Sequence, residues 1–248
     1  MIDVAEDRLL AGRLRLLQSR KGHRAGTDAV LLAAALASPQ GHLVDAGAGA
    51  GTAGLACALR APDLMVTLVE NNAAAAGLAA RNAALNQCAA RARVAAIDLL
   101  SAAARRGAGL ADGAADAVLT NPPFFDARDV RASPDPVRAN AHVLEASLER
   151  WMAACIAMLK PGGVFVMIHR ADALAQCLAA VGNRLGAVTV LPVYPQAGKP
   201  ASRILLRGIK GSRARPGLAP GFVLHAAGGG FTPQAEALHR GEAVLDWG

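Results

Sequence analysis

The segment Thr120-Asn121-Pro122-Pro123-Phe124-Phe125 carries the most specific chemistry in the chain. Its two prolines fix φ and remove two backbone donors. The Asn121 side-chain oxygen and the Pro122 carbonyl remain as rigid acceptors. Together they can hold the two hydrogens of a planar NH2 group, and Phe124 is spaced to stack on the ring or amide bearing it. Such a nitrogen is a poor nucleophile because its lone pair is delocalised. Accepting both N–H bonds favours a pyramidal nitrogen and stabilises the positive charge that develops as it attacks. No general base is needed beforehand, since the proton can leave afterwards. The plainer alternative is a Pro-rich loop at a sheet edge. Asn121, Pro122, Pro123 and Phe124 are the expected catalytic residues.

A second constellation lies upstream. Asp45-Ala46-Gly47-Ala48-Gly49-Ala50-Gly51-Thr52 places glycines at alternate positions after an apolar run. That pattern lets the backbone turn sharply and approach a ligand. Gly49, Gly51 and Gly54 also satisfy the GxGxxG dinucleotide pattern, a weak match in a chain with 26 glycines. Glu70 and Asp98 close the next two apolar runs, where a carboxylate can accept ribose hydroxyls. Three acids in one cleft suit a ligand with positive charge and no phosphate. S-adenosylmethionine, with its sulfonium and ammonium, is such a ligand and is favoured over NAD.

These residues need a scaffold that brings strand ends together. Apolar runs at 42–47, 65–70, 93–98, 115–123 and 164–170 alternate with helical patterns at 27–37, 52–60, 73–85, 100–106, 142–159 and 171–185. Thr27 or Asp28 is the expected cap of the first helix. Strands apolar almost throughout predict a buried parallel sheet in one doubly wound α/β domain. The strands at 187–194 and 202–210 are joined by too few residues for a crossover helix, so they pair antiparallel. The expectation is therefore a Rossmann-like, seven-stranded, mostly parallel sheet with an antiparallel last strand and helices on both faces. Residues 1–26 read as an irregular or hairpin-like extension, 27–210 as the domain, and 211–248 as an irregular tail.

Composition bounds the partners. Hydrophobic residues make up 53% of the 248 positions and charged residues 18%, which excludes global disorder. No run of about 18 unbroken apolar residues predicts a membrane span. Cys57, Cys88, Cys155 and Cys177 lie far apart without a CxxC pair, as in a reduced cytoplasmic chain without a metal site. Lys and Arg outnumber Asp and Glu, 26 to 19, giving a net +7. Two acid-free basic runs stand out: Arg8, Arg13, Arg15, Arg20, Lys21 and Arg24, then Lys199, Arg203, Arg207, Lys210, Arg213 and Arg215. Such runs attract phosphate backbones. Arg20, Lys21, Arg24, Lys199, Arg203, Arg207, Lys210 and Arg213 are the expected RNA contacts; a solvated basic surface is the alternative.

With these motifs in place, the sequence resembles the Rossmann-like S-adenosylmethionine-dependent methyltransferases, and within them the NPPF/NPPY amino-methyltransferases. The stretch from Lys21 to Leu32, KGHRAGTDAVLL, is similar to bacterial tRNA-1(Val) adenine-N6-methyltransferases. The resemblance covers residues 8–210. It implies Thr27 and Asp28 near the methionine end of the cofactor, Asp45, Gly47 and Gly49 along it, Glu70 at the ribose, Asp98 and Leu99 at the adenine, and Asn71 as a further cofactor contact. It also implies Asn121 against both cofactor and target amine, with an adenine beside the anticodon of a valine tRNA as substrate. Ala25 stands where relatives often have an aromatic. Guanine N2 in ribosomal RNA and a glutamine amide in a release factor are alternative acceptors of the same chemistry. A catalytically silent RNA binder and an NAD oxidoreductase are the readings from other classes. The net charge favours RNA over protein.

Overall fold

A computed structural model of the chain describes residues 3–20, 25–123 and 148–248. Strands β1 (Val4–Leu9) and β2 (Leu14–Ser19) form an antiparallel hairpin. Then α1 (Thr27–Ala34), β3 (His42–Ala46), α2 (Thr52–Arg60), β4 (Met65–Val69), α3 (Ala73–Leu85), β5 (Ala92–Ala95), α4 (Ala102–Gly107) and β6 (Ala115–Thr120) alternate. A helix, α5, covers 148–158. It is followed by β7 (Leu159–Arg170), α6 (Leu174–Val181), β8 (Leu185–Gln196) and β9 (Arg203–Lys210). The chain closes with β10 (Gly217–Leu218), β11 (Phe222–His225) and α7 (Pro233–His239).

One sheet runs in the order β10-β8-β9-β7-β6-β3-β4-β5, with β11 also on β8. Strands β5, β4, β3, β6 and β7 are mutually parallel. As expected, β9 is antiparallel, to both β7 and β8. Leu43, Leu68, Leu119, Val166 and Ile168 face one apolar cluster with α1, α2 and α3, while Val44, Val69, Val118, Phe165 and Met167 face another with α5 and α6. This alternation buries both sides of each strand and explains their unbroken apolar character. The helices that follow β3 and β6, α2 and α5, lie on opposite faces of the sheet, so a crevice opens at the carboxyl ends of these neighbours.

Two expectations change. The segment after Lys210 is not irregular: β10 and β11 pair with β8, lengthening the sheet beyond seven strands, and Thr232 caps α7 with Pro233 at its first position. Neither Thr27 nor Asp28 caps α1; the cap is Gly26, because the Thr27 hydroxyl bonds His239 and the Asp28 carboxylate bonds Arg203. The expected helix start at residue 142 lies outside the described residues, and 148–158 are helical as expected.

The hairpin docks through side chains standing in for a strand. Buried Asn82 accepts from Leu17 N–H (2.7 Å) and donates to the carbonyls of Leu17 (3.0 Å) and Ala50 (2.9 Å). One turn on, Asn86 does the same with the N–H and carbonyl of Arg15. Inward-facing Leu14, Leu16 and Gln18 alternate along β2, and the polar third member disguises the period in the sequence.

Candidate active site

The glycine loop leaves β3 with three residues in left-handed conformation: Gly47 (φ +74°), Gly49 (+56°) and Gly51 (+88°). L side chains rarely adopt these angles. The N–H groups of Gly47 and Ala48 both donate to Val69 carbonyl at 2.9 Å. Glu70 accepts from Gly49 N–H (2.9 Å) and Asn72 N–H (2.8 Å), pinning the loop to the end of β4. Asp45 accepts from Gly54 N–H at 2.8 Å, and a Cβ on Gly54 would come within 2.5 Å of Leu68 Cδ2 and 3.1 Å of Asp45. Glycine there lets the helix pack closely on the strand. Asp45 is 3% exposed, and burial pushes its carboxyl up to about 6, with Glu70 adding to the shift against the Gly54 hydrogen bond.

Two adjoining cavities of about 730 and 460 Å³ meet at Gly47, Gly49 and Asn121. The larger is walled by Thr27, Asp28, Asp45, Asn72, the first turns of α3, and Gln18 and Ser19 of the hairpin. The smaller is walled by Val69, Glu70, Asn71, Ile97, Leu99, Pro122, Pro123 and Trp151. Asp28, Asp45 and Glu70 line them, and no Lys or Arg does among the described residues.

Of the expected cofactor contacts, Thr27, Asp28, Asp45, Gly47, Gly49, Glu70, Asn71, Leu99 and Asn121 are brought together here. Asp98 is not: it is exposed, lines neither cavity, and accepts from Leu100 N–H at 2.9 Å. An aspartate two residues before a free N–H closes a local turn more readily than it reaches across the cleft. Asn121 makes no hydrogen bond among the described residues, while Phe124, Lys21 and Arg24 lie outside them.

The expected basic surface is dispersed. Because β9 runs antiparallel to β7, Arg203 sits beside Arg170 at the end of the sheet that holds Asn121, and Lys210 sits at the other. Arg203 bonds Asp28 at 3.0 Å, Arg207 lies 4.8 Å from the Trp247 ring centre, and Lys210 donates to the carbonyls of Ala157 and Leu159 near the end of α5. These three cations hold the protein's own groups. Arg213 is exposed beyond the far end of β9, Lys199 is exposed at the near end, and Arg20 pairs with Asp3 at 3.1 Å.

Two site residues escaped the sequence. Trp151 donates from Nε1 to Thr120 Oγ1 (2.9 Å), which donates to Ala46 carbonyl (2.9 Å), linking α5, β6 and β3 beside Asn121. A Cβ on Gly47 would come within 3.1 Å of the indole. Gln18 accepts from Ala25 N–H at 2.7 Å and donates to Asp7 at 2.9 Å, holding the approach to Thr27. A lone tryptophan thirty residues past a motif, or a glutamine inside a basic run, offers no spacing signal.

A parallel sheet with an antiparallel strand beside its edge, and an acid-lined cleft over the glycine turn, define the Rossmann-like methyltransferase class. Residues 19–191 match the profile of the methyltransferase small domain family. The chain belongs to that family, whose fold and cleft are those of S-adenosylmethionine-dependent methyltransferases. A release factor glutamine methyltransferase of Chlorobaculum tepidum is 28% identical over 159 residues, 61% of this chain and 53% of that protein. The chain thus spans about half the length of this curated relative. The crystal structure of a predicted O-methyltransferase from Agrobacterium tumefaciens is 32% identical with a TM-score of 0.74, covering 88% of this chain and 98% of that one. Geranyl diphosphate C-methyltransferase from Streptomyces coelicolor, solved with S-adenosyl-L-homocysteine, shares the fold at 18% identity and TM-score 0.52, over 73% of this chain and 74% of that one. These proteins are named for glutamine, oxygen and carbon methylation, so kinship alone does not fix the acceptor.

Proposed function

We propose that the protein transfers a methyl group from S-adenosylmethionine to a planar NH2 group held by Asn121 and Pro122. The carrying observation is the pair of adjoining cavities with three carboxylates and no Lys or Arg in their described lining, meeting at Asn121. A pyrophosphate would be repelled there, whereas a dication with one carboxylate is accommodated. When bound, S-adenosylmethionine supplies an electrophilic methyl carried on a sulfonium.

The remaining work falls to the protein. Asp45 and Glu70 hold the glycine loop and set a negative potential along the cleft. Asn121 Oδ1 and the Pro122 carbonyl accept the two N–H bonds of the acceptor, localising its lone pair and holding it for in-line attack. An alcohol offers one hydrogen to two fixed acceptors and leaves one unused, which favours nitrogen over oxygen. The substrate we infer is the exocyclic N6 amine of an adenine in tRNA, following the resemblance of the Lys21–Leu32 and Asn121–Phe124 segments to the adenine-N6 enzymes. A glutamine side-chain amide presents the same planar NH2. The 28% identical relative favours it, as do the internal partners of Arg203, Arg207 and Lys210, which weaken the case for RNA.

Incubating the protein with methyl-labelled cofactor and, separately, total RNA and a protein fraction from its own cell tests this. Label recovered as N6-methyladenosine from tRNA supports the first substrate, and N-methylglutamine the second. Label on oxygen, or on neither fraction, overturns the amine assignment.

A further inference from the structure

The residues after 191 lie outside the family match, yet one of them bonds a residue that lines the larger cavity. His239, on the last turn of α7, places Nε2 3.2 Å from Thr27 Oγ1 and Nδ1 2.8 Å from Ala235 carbonyl. A carbonyl only accepts, so the network assigns the proton of the neutral ring to Nδ1. Nε2 then carries the lone pair, and Thr27 donates its hydroxyl hydrogen to it. The Thr27 oxygen is left with its own lone pairs, so it can only accept from a ligand. Next to it, Asp28 is acceptor-only by its charge and is steadied by Arg203. Thr27 and Asp28 both line the cavity, so this corner offers acceptors to a ligand carrying N–H donors.

The position of the imidazole is over-determined. Its ring stacks at 4.1 Å on Phe231, which stacks at 5.0 Å on His225 of β11. The segment beyond α7 is tied to α1 as well: Leu245 N–H donates to Ala34 carbonyl and Trp247 Nε1 to Ala35 carbonyl. The same C-terminal segment that lengthens the sheet therefore grips the helix whose first residue borders the cavity.

We propose that His239 is a positioning residue: it orients the Thr27 hydroxyl so that its oxygen accepts from the ammonium of the cofactor's amino-acid end. This rests on the reading that the cavity binds S-adenosylmethionine. Two ligands separate the proposals, namely S-adenosylmethionine and 5′-methylthioadenosine, which lacks the amino-acid portion. Calorimetric binding to the wild type comes first; failure to bind either ligand overturns the cofactor reading and this inference with it. His239→Phe keeps a ring to stack on Phe231 but removes the hydrogen bond. It should weaken S-adenosylmethionine about three- to tenfold, as for loss of one oriented hydrogen bond, and leave 5′-methylthioadenosine unchanged. His239→Gln, whose amide oxygen can accept from Thr27, should restore most of the affinity. Thr27→Val should reproduce the His239→Phe loss, with no further loss in the double variant. Equal weakening of both ligands would reduce His239 to a structural support, and unchanged affinity in His239→Phe would overturn the proposal.

Discussion

Asp45 shows how one carboxylate can set both pH dependence and stability. Burial raises its folded-state value to about 6, whereas an exposed aspartate titrates near 4. Between those values the folded chain keeps a proton that the unfolded chain has released, so this group's contribution to stability falls as pH rises from about 4 to 6. A cationic ligand favours the ionised form. Cofactor affinity should therefore strengthen as pH rises through about 6, which calorimetry from pH 5 to 8 reads directly. Asp45→Asn keeps an oxygen for Gly54 N–H while removing a buried charge. It should leave stability equal or raise it by about 1 kcal/mol, lower cofactor affinity about tenfold, and flatten the pH dependence near 6. Asn121→Ala should abolish turnover while leaving cofactor affinity within about tenfold, because the role proposed for its oxygen is on the acceptor amine. Normal turnover in that variant would displace the amine from Asn121.

Elements meet at the site through a few side-chain bonds that replace regular pairing. Asn82 joins α3 to the hairpin and to Ala50 of the glycine loop with three hydrogen bonds from a fully buried position. Asn82→Ala leaves the backbone groups of Leu17 without these partners. It should cost about 2–3 kcal/mol in urea unfolding and loosen cofactor binding in the same variant. Trp151 ties α5 to β6, and through Thr120 to β3, with its indole on the smaller cavity. The chain has two tryptophans, and Trp247 is buried far along on α1 and Arg207. Fluorescence should change when S-adenosylmethionine binds, and Trp151→Phe should remove that change. A signal that persists in Trp151→Phe would place the ligand elsewhere.

For the whole molecule, a basic run in the sequence is not a basic patch in space. A strand rises about 3.4 Å per residue, so Arg203 to Lys210 spans roughly 24 Å, the full height of the sheet. Half of the second run therefore lies at the end away from Asn121. Arg213→Ala should leave acceptor affinity and its salt dependence unchanged. Arg207→Ala should lower the melting temperature by a few degrees through loss of its contact with Trp247, with no effect on methyl transfer. A filter-binding salt titration and a thermal melt check the two. Among the described residues, no helix is long and apolar enough to cross a membrane, and no group of three His, Cys, Asp or Glu could hold a metal.

The sheet, the glycine turn and the Asn-Pro-Pro loop were legible in the sequence because each depends on local rules. Strands buried on both faces must be apolar throughout, left-handed turns need glycine, and adjacent prolines fix a backbone wherever they fall. The same rules include a helix start at Thr232-Pro233 that the glycine-rich tail obscured. Asp98, Trp151, Gln18, Asn82 and His239 could not be ranked that way. Their partners lie 2, 31, 7, 65 and 212 residues distant, and only the fold selects a nearby N–H over a far ribose, or brings α7 against α1. Charge followed the same division: the sequence set its total, whereas the direction of β9 decided which cations stand beside the cleft and which hold the protein to itself.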